Sequence, residues 1–286
     1  MLSAKHNIET SRALQQVTGV LGTLVSRFAT SPEEVRQALA LRYQVFCEEL
    51  QLGDRIGNDN AQLDRDEWDG ICDHLVIHET APEHTPDEKL IATSRLMTSS
   101  SAERQGVPFY SQSEFDVASL MAKHRTKKFL ELGRTCVLPD WRSRRCIELL
   151  WHSIWSYSLE KEIDVMIGCA SFVGEDPLEF KDSLAYLYHN HTTDDEDWAV
   201  KAVSENKFST NVIAPEKIDN RLAFRGLPPL IKGYLRLGAW VSREAVVDKQ
   251  FGTIDILIIL PVANLNPRHV AYYGETANRY SASRVQ

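Results

Sequence analysis

Two charged residues, Glu131 and Arg134, interrupt FLELGRTCV, an apolar segment with the composition of a buried β-strand. An ionised side chain in such a strand is costly unless it is paired or used in chemistry. Partial burial also raises the pKa of a carboxylate toward the range in which it can exchange protons near neutral pH. We therefore predict proton transfer at Glu131 with Arg134 beside it. A structural ion pair between the two is the alternative.

The spacing of this pair demands a distortion of the strand. Residues three apart on a regular strand face opposite ways, so Glu131 and Arg134 share a face only if an extra residue is inserted. We predict a β-bulge at Gly133. Such a bulge can splay neighbouring strands and leave a slot with unpaired backbone N–H groups.

The flanking segments predict a β-α-β unit around this strand. Pro139-Asp140 ends the strand, a helix follows with apolar residues at helical spacing, and Val165 to Phe172 form a parallel partner strand. Elsewhere we expect a strand at 22–29, a hairpin at 73–78 and 89–97, a helix from Asp176-Pro177, a helix at 227–238 and a strand at 254–262. The order predicts a mixed α/β sheet flanked by helices.

An N-terminal helix and an acidic loop bring further candidates. Ser31 to Glu34 form a capping box, and the helix from Pro32 to Leu50 places Arg42 beside its buried stripe, where it can bind an anion or anchor a loop. The segment after it is predicted to be a long acidic loop that suits a cationic substrate, with a solvated connector as the alternative. Its acidic residues include Asp64, Asp66, Glu67 and Asp69.

Composition limits the class of protein. The 286 residues, 43% hydrophobic, predict an N-terminal extension at 1–20 and a single elaborated domain at 21–286 with a polar insertion at about 191–226. Neither an apolar run of eighteen residues nor an export signal is present, which predicts a cytoplasmic protein. An apolar patch near Leu235 and Trp240 could contact a membrane, with core packing as the alternative. Five scattered cysteines and nine histidines without metal-binding spacing predict neither disulfides nor a metal site.

Charge is distributed unevenly. The net charge of −8 argues against nucleic-acid binding, yet residues 121–147 hold eight Lys or Arg and two Asp or Glu, a local +6. We expect the basic residues on both sides of the Glu131 strand to flank one cleft and to dock an anionic partner, although a solvated surface is the alternative. The residues that we assign to this dock are Lys127, Lys128, Arg142, Arg144 and Arg145.

The element order and several long segments resemble the GNAT superfamily of acyltransferases, and more closely the L-ornithine N-alpha-acyltransferases of ornithine-lipid biosynthesis. The segments are LRYQVFCEEL at 41, DEWDGICDHLVI at 66, SRL at 94, FYSQSEFD at 109, LELGRTCVLPDWR at 130, IGCASFVGEDP at 167 and LPPLIKGYLRLGA at 227. The resemblance implies a mostly antiparallel sheet whose splayed central parallel strand pair admits the pantetheine arm of an acyl donor.

Acyl-homoserine-lactone synthases are similar at a greater distance, through four separate matches. Their Arg-x-x-x-Phe fits Arg42 and Phe46, their Asp-x-x-Asp fits Asp66 and Asp69, their strand Arg fits Arg95, and their Glu-x-x-Arg fits Glu131 and Arg134. The resemblance implies that Arg42 or Arg95 binds the carboxylate of ornithine and that Asp66 or Asp69 binds its side-chain ammonium.

The acyl donor is inferred from one difference between this sequence and the pattern of the superfamily. The superfamily's glycine-rich phosphate turn appears here as RSRRCI, residues 142–147, without glycines. Close backbone approach to a pyrophosphate needs those glycines, whereas arginine side chains can hold a single phosphodiester. This favours an acyl carrier protein, which is acidic, over acyl-CoA, with the phosphopantetheine arm as acyl donor and no other cofactor.

The resemblance implies direct attack by the amine on the thioester, with Glu131 as general base and no acyl-enzyme. A route through Cys136 or Cys169 is the alternative. An acyl-homoserine-lactone synthase, an N-acyltransferase for another amino acid, and a non-catalytic module that binds acyl carrier protein remain as rival functions.

Overall fold

The computed structural model describes residues 17–50, 62–80, 88–266, 268, 271–272 and 280. Ten strands form one sheet in the order β1-β2-β3-β4-β5-β6-β10-β9-β7, with β8 paired to β10. The strands are β1 Val17–Leu21, β2 Leu24–Phe28, β3 Asp73–Glu79, β4 Lys89–Thr98, β5 Phe129–Val137, β6 Val165–Val173, β7 Lys207–Ser209, β8 Trp240–Val241, β9 Glu244–Asp248 and β10 Thr253–Pro261.

One pair in this sheet, β5 with β6, is parallel, and the other pairs are antiparallel. The parallel pairing covers three residues and ends where Glu131 faces Ile167. Beyond that point β6 stays paired with β10 as far as Val173, while β5 stays paired with β4. The two strands therefore separate toward their carboxyl ends and leave a slot between β5 and β6. The predicted fold class, with its splayed central pair, is confirmed.

Gly168 of β6 lies against the backbone of β5, just beyond the last paired residues. A Cβ added to Gly168 would lie 2.3 Å from the backbone oxygen of Leu132. We expect Gly168→Ala to push β5 away from β6 and to cost about 1–3 kcal/mol of unfolding free energy, as overpacking does. Urea denaturation measures this. Gly70→Ala is the control, because a Cβ there meets nothing within 4 Å; equal stability of the two variants would contradict the prediction.

Seven helices complete the described fold. They are α1 Pro32–Tyr43, α2 Ser99–Gln105, α3 Val117–Lys123, α4 Arg144–Glu160, α5 Lys181–His191, α6 Asn220–Gly226 and α7 Pro229–Leu237. The predicted capping box is present, because Ser31 accepts from the backbone N–H of Glu34 and the Glu34 side chain accepts from the N–H of Ser31. Helix α1 then continues into a π-helical turn, Gln44–Glu49. Helix α4 packs on β1, β2 and β3, on the sheet face opposite to Glu131.

Several expectations need correction. Strand β1 begins at Val17, inside the predicted extension, and residues 1–16 lie outside the described ranges. The region 191–226 contributes β7 and α6. Leu235 is buried in the core and Trp240 packs on Trp198, so core packing and not an exposed patch accounts for them. Among the described helices, none is long and apolar enough to cross a membrane.

Candidate functional site

A β-bulge brings Arg134 to the face of the sheet that carries Glu131. Gly133 pairs regularly with Arg95, so the bulge predicted at Gly133 is wrong; the register shifts at the next residues, where Arg134 and Thr135 together face Ser94. Arg134 adopts φ +48°, a left-handed conformation that is uncommon for a residue other than glycine. Its guanidinium lies 4.7 Å from the centre of the Tyr110 ring, and the Tyr110 backbone contacts Glu131.

The Glu131 carboxylate is buried and receives three hydrogen bonds from one short segment. The N–H of Tyr110 donates to Oε2 at 2.8 Å, and the N–H and hydroxyl of Ser111 donate to Oε1 at 2.8 and 2.5 Å. Burial raises the pKa of Glu131, against these hydrogen bonds, which lower it. Within the described residues Glu131 forms no ion pair, so the geometry does not support the alternative of a structural pair with Arg134.

Three arginines and three aspartates form an ion-pair ring on the same face. Arg42 donates from Nε to Asp64 at 2.7 Å and from Nη1 to Asp69 at 2.6 Å. Arg95 Nη1 lies 2.5 Å from an oxygen of Asp66 and 2.8 Å from one of Asp69. The ring closes through Arg134, whose nitrogens lie 3.3 Å from Asp64 and 3.4 Å from Asp66.

The formal charges of this ring cancel, three against three. Burial raises the pKa of Asp69, but the guanidiniums of Arg42 and Arg95 lower it more, so that it lies below its usual value. Arg42 is fully buried and ties helix α1 to the acidic loop, which agrees with its predicted alternative of anchoring a loop. The substrate-binding roles of Arg42, Asp66, Asp69 and Arg95 stay predictions.

Aromatic rings enclose the Arg134 guanidinium. Its carbon lies 4.7 Å from the centre of the Tyr110 ring and 4.6 Å from that of Phe251. Phe46 meets Phe251 edge to face, and Trp68 meets Tyr110 in the same way. The predicted site residue Phe46 therefore lies in the wall around Arg134, together with rings that the sequence did not identify.

The two basic clusters lie at opposite ends of β5. Lys127 and Lys128 precede the strand, at the end where β5 and β6 are paired; Arg142, Arg144 and Arg145 follow it, at the end where the slot opens. The nine residues of β5 span about 26 Å, so the expectation that both clusters flank one cleft is wrong. Arg142 forms a bidentate pair with Glu49, whereas Arg145 is exposed and makes no ion pair with any described residue.

A second group of polar residues was missed. Oxygens of Glu114 and Asp255 and the sulfur of Cys169 all lie within 4.8 Å of one another. Burial, with repulsion from Asp255 and Asp248, raises the pKa of Glu114 to about 8, and burial with repulsion from Asp248 raises that of Asp255 to about 6. Asp255 could have identified this group from the sequence, because it is an acidic residue inside the apolar strand IDILIILPV. The same criterion identified Glu131.

Raised carboxyl pKa values predict that wild-type stability falls as pH rises. Between the unfolded value near 4.5 and the folded value near 8, Glu114 binds its proton more tightly in the folded protein, so raising the pH through this window costs stability. We expect Glu114→Gln to flatten the decline of unfolding free energy from pH 5 to 8, measured by urea denaturation. A parallel decline in wild type and variant would show that Glu114 is not its source.

This chain is similar to known acyltransferases. Residues 41–152 match a family described as an acetyltransferase (GNAT) domain. An L-ornithine N(alpha)-acyltransferase of Rhizobium meliloti is 44% identical over 93% of this chain and 89% of its own, and one of Brucella abortus is 40% identical over 98% and 99%. A solved N-acyl amino acid synthase from uncultured soil microbes, 14% identical, aligns over 88% of this chain and 98% of its own with a TM-score of 0.48.

The similarity to the two named relatives extends over nearly the full length of each chain. The aligned region therefore includes β5, with Glu131, and β6. The chain belongs to the L-ornithine N(alpha)-acyltransferase family, and it is a GNAT acyltransferase.

Proposed function

We propose that this chain transfers a 3-hydroxyacyl group from an acyl carrier protein to the α-amine of L-ornithine, giving a lyso-ornithine lipid. The observation that carries the proposal is the place of Glu131: it is the last residue of β5 to pair with β6, at the point where the slot begins. The names of the relatives support ornithine as the acceptor.

Direct attack by the amine needs a proton acceptor, because an α-amine is mostly protonated near neutral pH. Glu131 has a raised pKa and lies at the mouth of the slot, which suits a general base that acts directly or through a water. Arg134, on the same face, orients the acceptor. Backbone N–H groups of β5 beyond Glu131, which β6 does not pair, are candidates to stabilise the oxyanion, a contribution of about 3 kcal/mol.

An acyl-enzyme on cysteine is disfavoured by the state of the thiols. Burial raises the pKa of Cys136 to about 12 and also raises that of Cys169. The thiolate is the nucleophilic form, and neither thiol has a histidine hydrogen-bonded to it among the described residues. Direct transfer is therefore the mechanism that this site supports best.

The carrier is proposed to dock at the open end of the slot, where an acidic protein meets exposed arginines. We expect Arg145→Glu to raise KM for the acylated carrier about tenfold, with KM for ornithine unchanged, because the substitution reverses an exposed charge at this end. Steady-state kinetics at low salt measure this. Arg36→Glu, on the exposed face of α1, is the control; an equal effect there would mean that net charge alone acts.

The decisive experiment supplies 3-hydroxyacyl carrier protein, or the same acyl-CoA, together with ornithine, lysine, glutamine or S-adenosylmethionine, and identifies products by mass spectrometry. A lyso-ornithine lipid from the carrier substrate supports the proposal. Transfer to a different acceptor supports the rival N-acyltransferase functions. Carrier binding without transfer to any acceptor supports the non-catalytic module.

A further inference from the structure

The ion-pair ring neutralises its three aspartates, Asp64, Asp66 and Asp69. Asp64, Asp66 and Asp69 each contact a guanidinium, and three arginines balance the three carboxylates. A cationic side chain of the acceptor therefore finds no uncompensated carboxylate among these three aspartates. The other buried carboxylates on this face of the sheet are those of Glu131, Glu114 and Asp255.

Glu114 is the least satisfied of them. It is 8% exposed, and the one hydrogen bond to its side chain from the described residues comes from the weak donor Cys169, at 3.4 Å. Asp255, beside it, accepts from the hydroxyl of Thr253 at 2.8 Å. Arg134, whose charge lowers the pKa of both carboxyls, is engaged by the ring. A buried carboxylate with one weak donor and no counter-ion is costly, and a bound cation would lower that cost.

The position of this pair matches the length of a diamino acid. Cys169 follows Ile167, the neighbour of Glu131, by two residues on β6 and so faces the same side within the slot. Regular strand spacings place the backbones of Glu131 and Cys169 about 8 Å apart, and the separation of the strands beyond Ile167 makes this a minimum. The two nitrogens of an extended 2,5-diamino acid are roughly 6 Å apart from standard bond lengths, so one nitrogen can lie near Glu131 while the other reaches Glu114 and Asp255.

We propose that Glu114 and Asp255 form the subsite for the side-chain ammonium of the amino acid acceptor and so select a cationic acceptor. The inference rests on the proposed function and adds the residues that set its specificity. The charged groups around the subsite are Asp248 on β9, Arg134 and Glu131 on β5, and the Cys169 thiol on β6. The ammonium would donate to both carboxylates, and each such charge-assisted hydrogen bond is worth about a tenfold to hundredfold in affinity.

The test compares ornithine with norvaline, the same acid without the side-chain amine. For Glu114→Gln and Asp255→Asn we expect kcat/KM with ornithine to fall about 10- to 100-fold, while kcat/KM with norvaline changes less than about threefold. Glu103→Gln, an exposed carboxylate on α2, is the control and should leave both values unchanged. Neither amide variant should be less stable than wild type, because each removes one of two repelling carboxylates.

Three results would overturn the inference. An equal fall in kcat/KM for ornithine and norvaline would mean that Glu114 and Asp255 have a catalytic or structural role. Unchanged kcat/KM for ornithine would mean that they do not bind the acceptor. Stoichiometric zinc in the purified protein, lost in Glu114→Gln, would make it a metal site. Failure of wild type to acylate ornithine would count against the proposed function instead, and ornithine binding by wild type and Glu114→Gln, measured by calorimetry, would still decide the inference.

Discussion

Glu131→Gln is expected to lower kcat about 10²- to 10⁴-fold, the range for loss of a general base. The amide fills the same volume, but it cannot take a proton from the attacking amine. Its one oxygen can still accept from Ser111, whereas its NH2 group then faces the N–H of Tyr110. The pH profile provides the sharper measurement. Wild-type kcat/KM should rise with pH through an acid limb displaced above the usual carboxyl range, because burial raises the pKa of Glu131. The variant should lose that limb and keep the one that belongs to the substrate amine.

Ser111→Ala is the matched control for this variant. It removes the hydroxyl that donates to Glu131 at 2.5 Å and keeps the carboxylate. Loss of a hydrogen bond to the charged form raises the pKa further, so the acid limb should move to higher pH while the plateau rate is retained. If Glu131→Gln keeps full turnover near neutral pH, Glu131 is a support for the Tyr110–Ser113 segment and not the base.

Arg42→Met is expected to cost about 3–5 kcal/mol of unfolding free energy, the cost of breaking a buried ion pair from one side. Methionine keeps much of the apolar stem, yet Asp64 and Asp69 lose the guanidinium that bridges them at 2.7 and 2.6 Å. Urea denaturation at neutral pH measures the loss. The difference from wild type should shrink as the pH falls through the depressed pKa of Asp69, where that carboxylate becomes neutral.

Arg36→Met on the same helix is the control. Its side chain is 59% exposed and lies 3.9 Å from Glu33, and exposed pairs of this kind contribute at most about 1 kcal/mol. Comparable losses in the two variants would mean that helix propensity, and not the ring, explains the result.

Local features of the sequence predicted the framework well. The capping box at Ser31 and Glu34, the hairpin of β3 and β4, and the β5-α4-β6 unit each depend on residues close in the chain. Helix spacing and capping chemistry act over a few residues, so they can be recognised without tertiary information. Helices α2 and α3 were missed although they have caps, Thr98 and Gly106 for α2 and Asp116 for α3, because seven residues are too few to show a helical period.

The site depends on contacts between distant parts of the chain, which explains the errors there. A glycine is the usual choice for a left-handed residue, so Gly133 was the natural prediction. Arg134 adopts that conformation instead, held by Tyr110, Phe251 and two aspartates. In the same way the spacing of Asp66 and Asp69 indicated a substrate pocket but not their arginine partners. No local rule joins residues 114, 169 and 255.

The single parallel pair has a consequence for how this enzyme is assembled and moves. Strands β1 to β5 follow one another as neighbours, and β6 to β10 form a separate antiparallel group, so three residues of parallel pairing join the two groups within the sheet. Outside these strands, Glu114 and Asp116 also form backbone hydrogen bonds with residues 201–204. The first group can become structured during synthesis before β6 leaves the ribosome. In the finished protein, widening the slot beyond Glu131 breaks no pairing between β5 and β6, so a bulky acyl chain can enter while β5 stays paired with β4 and β6 with β10.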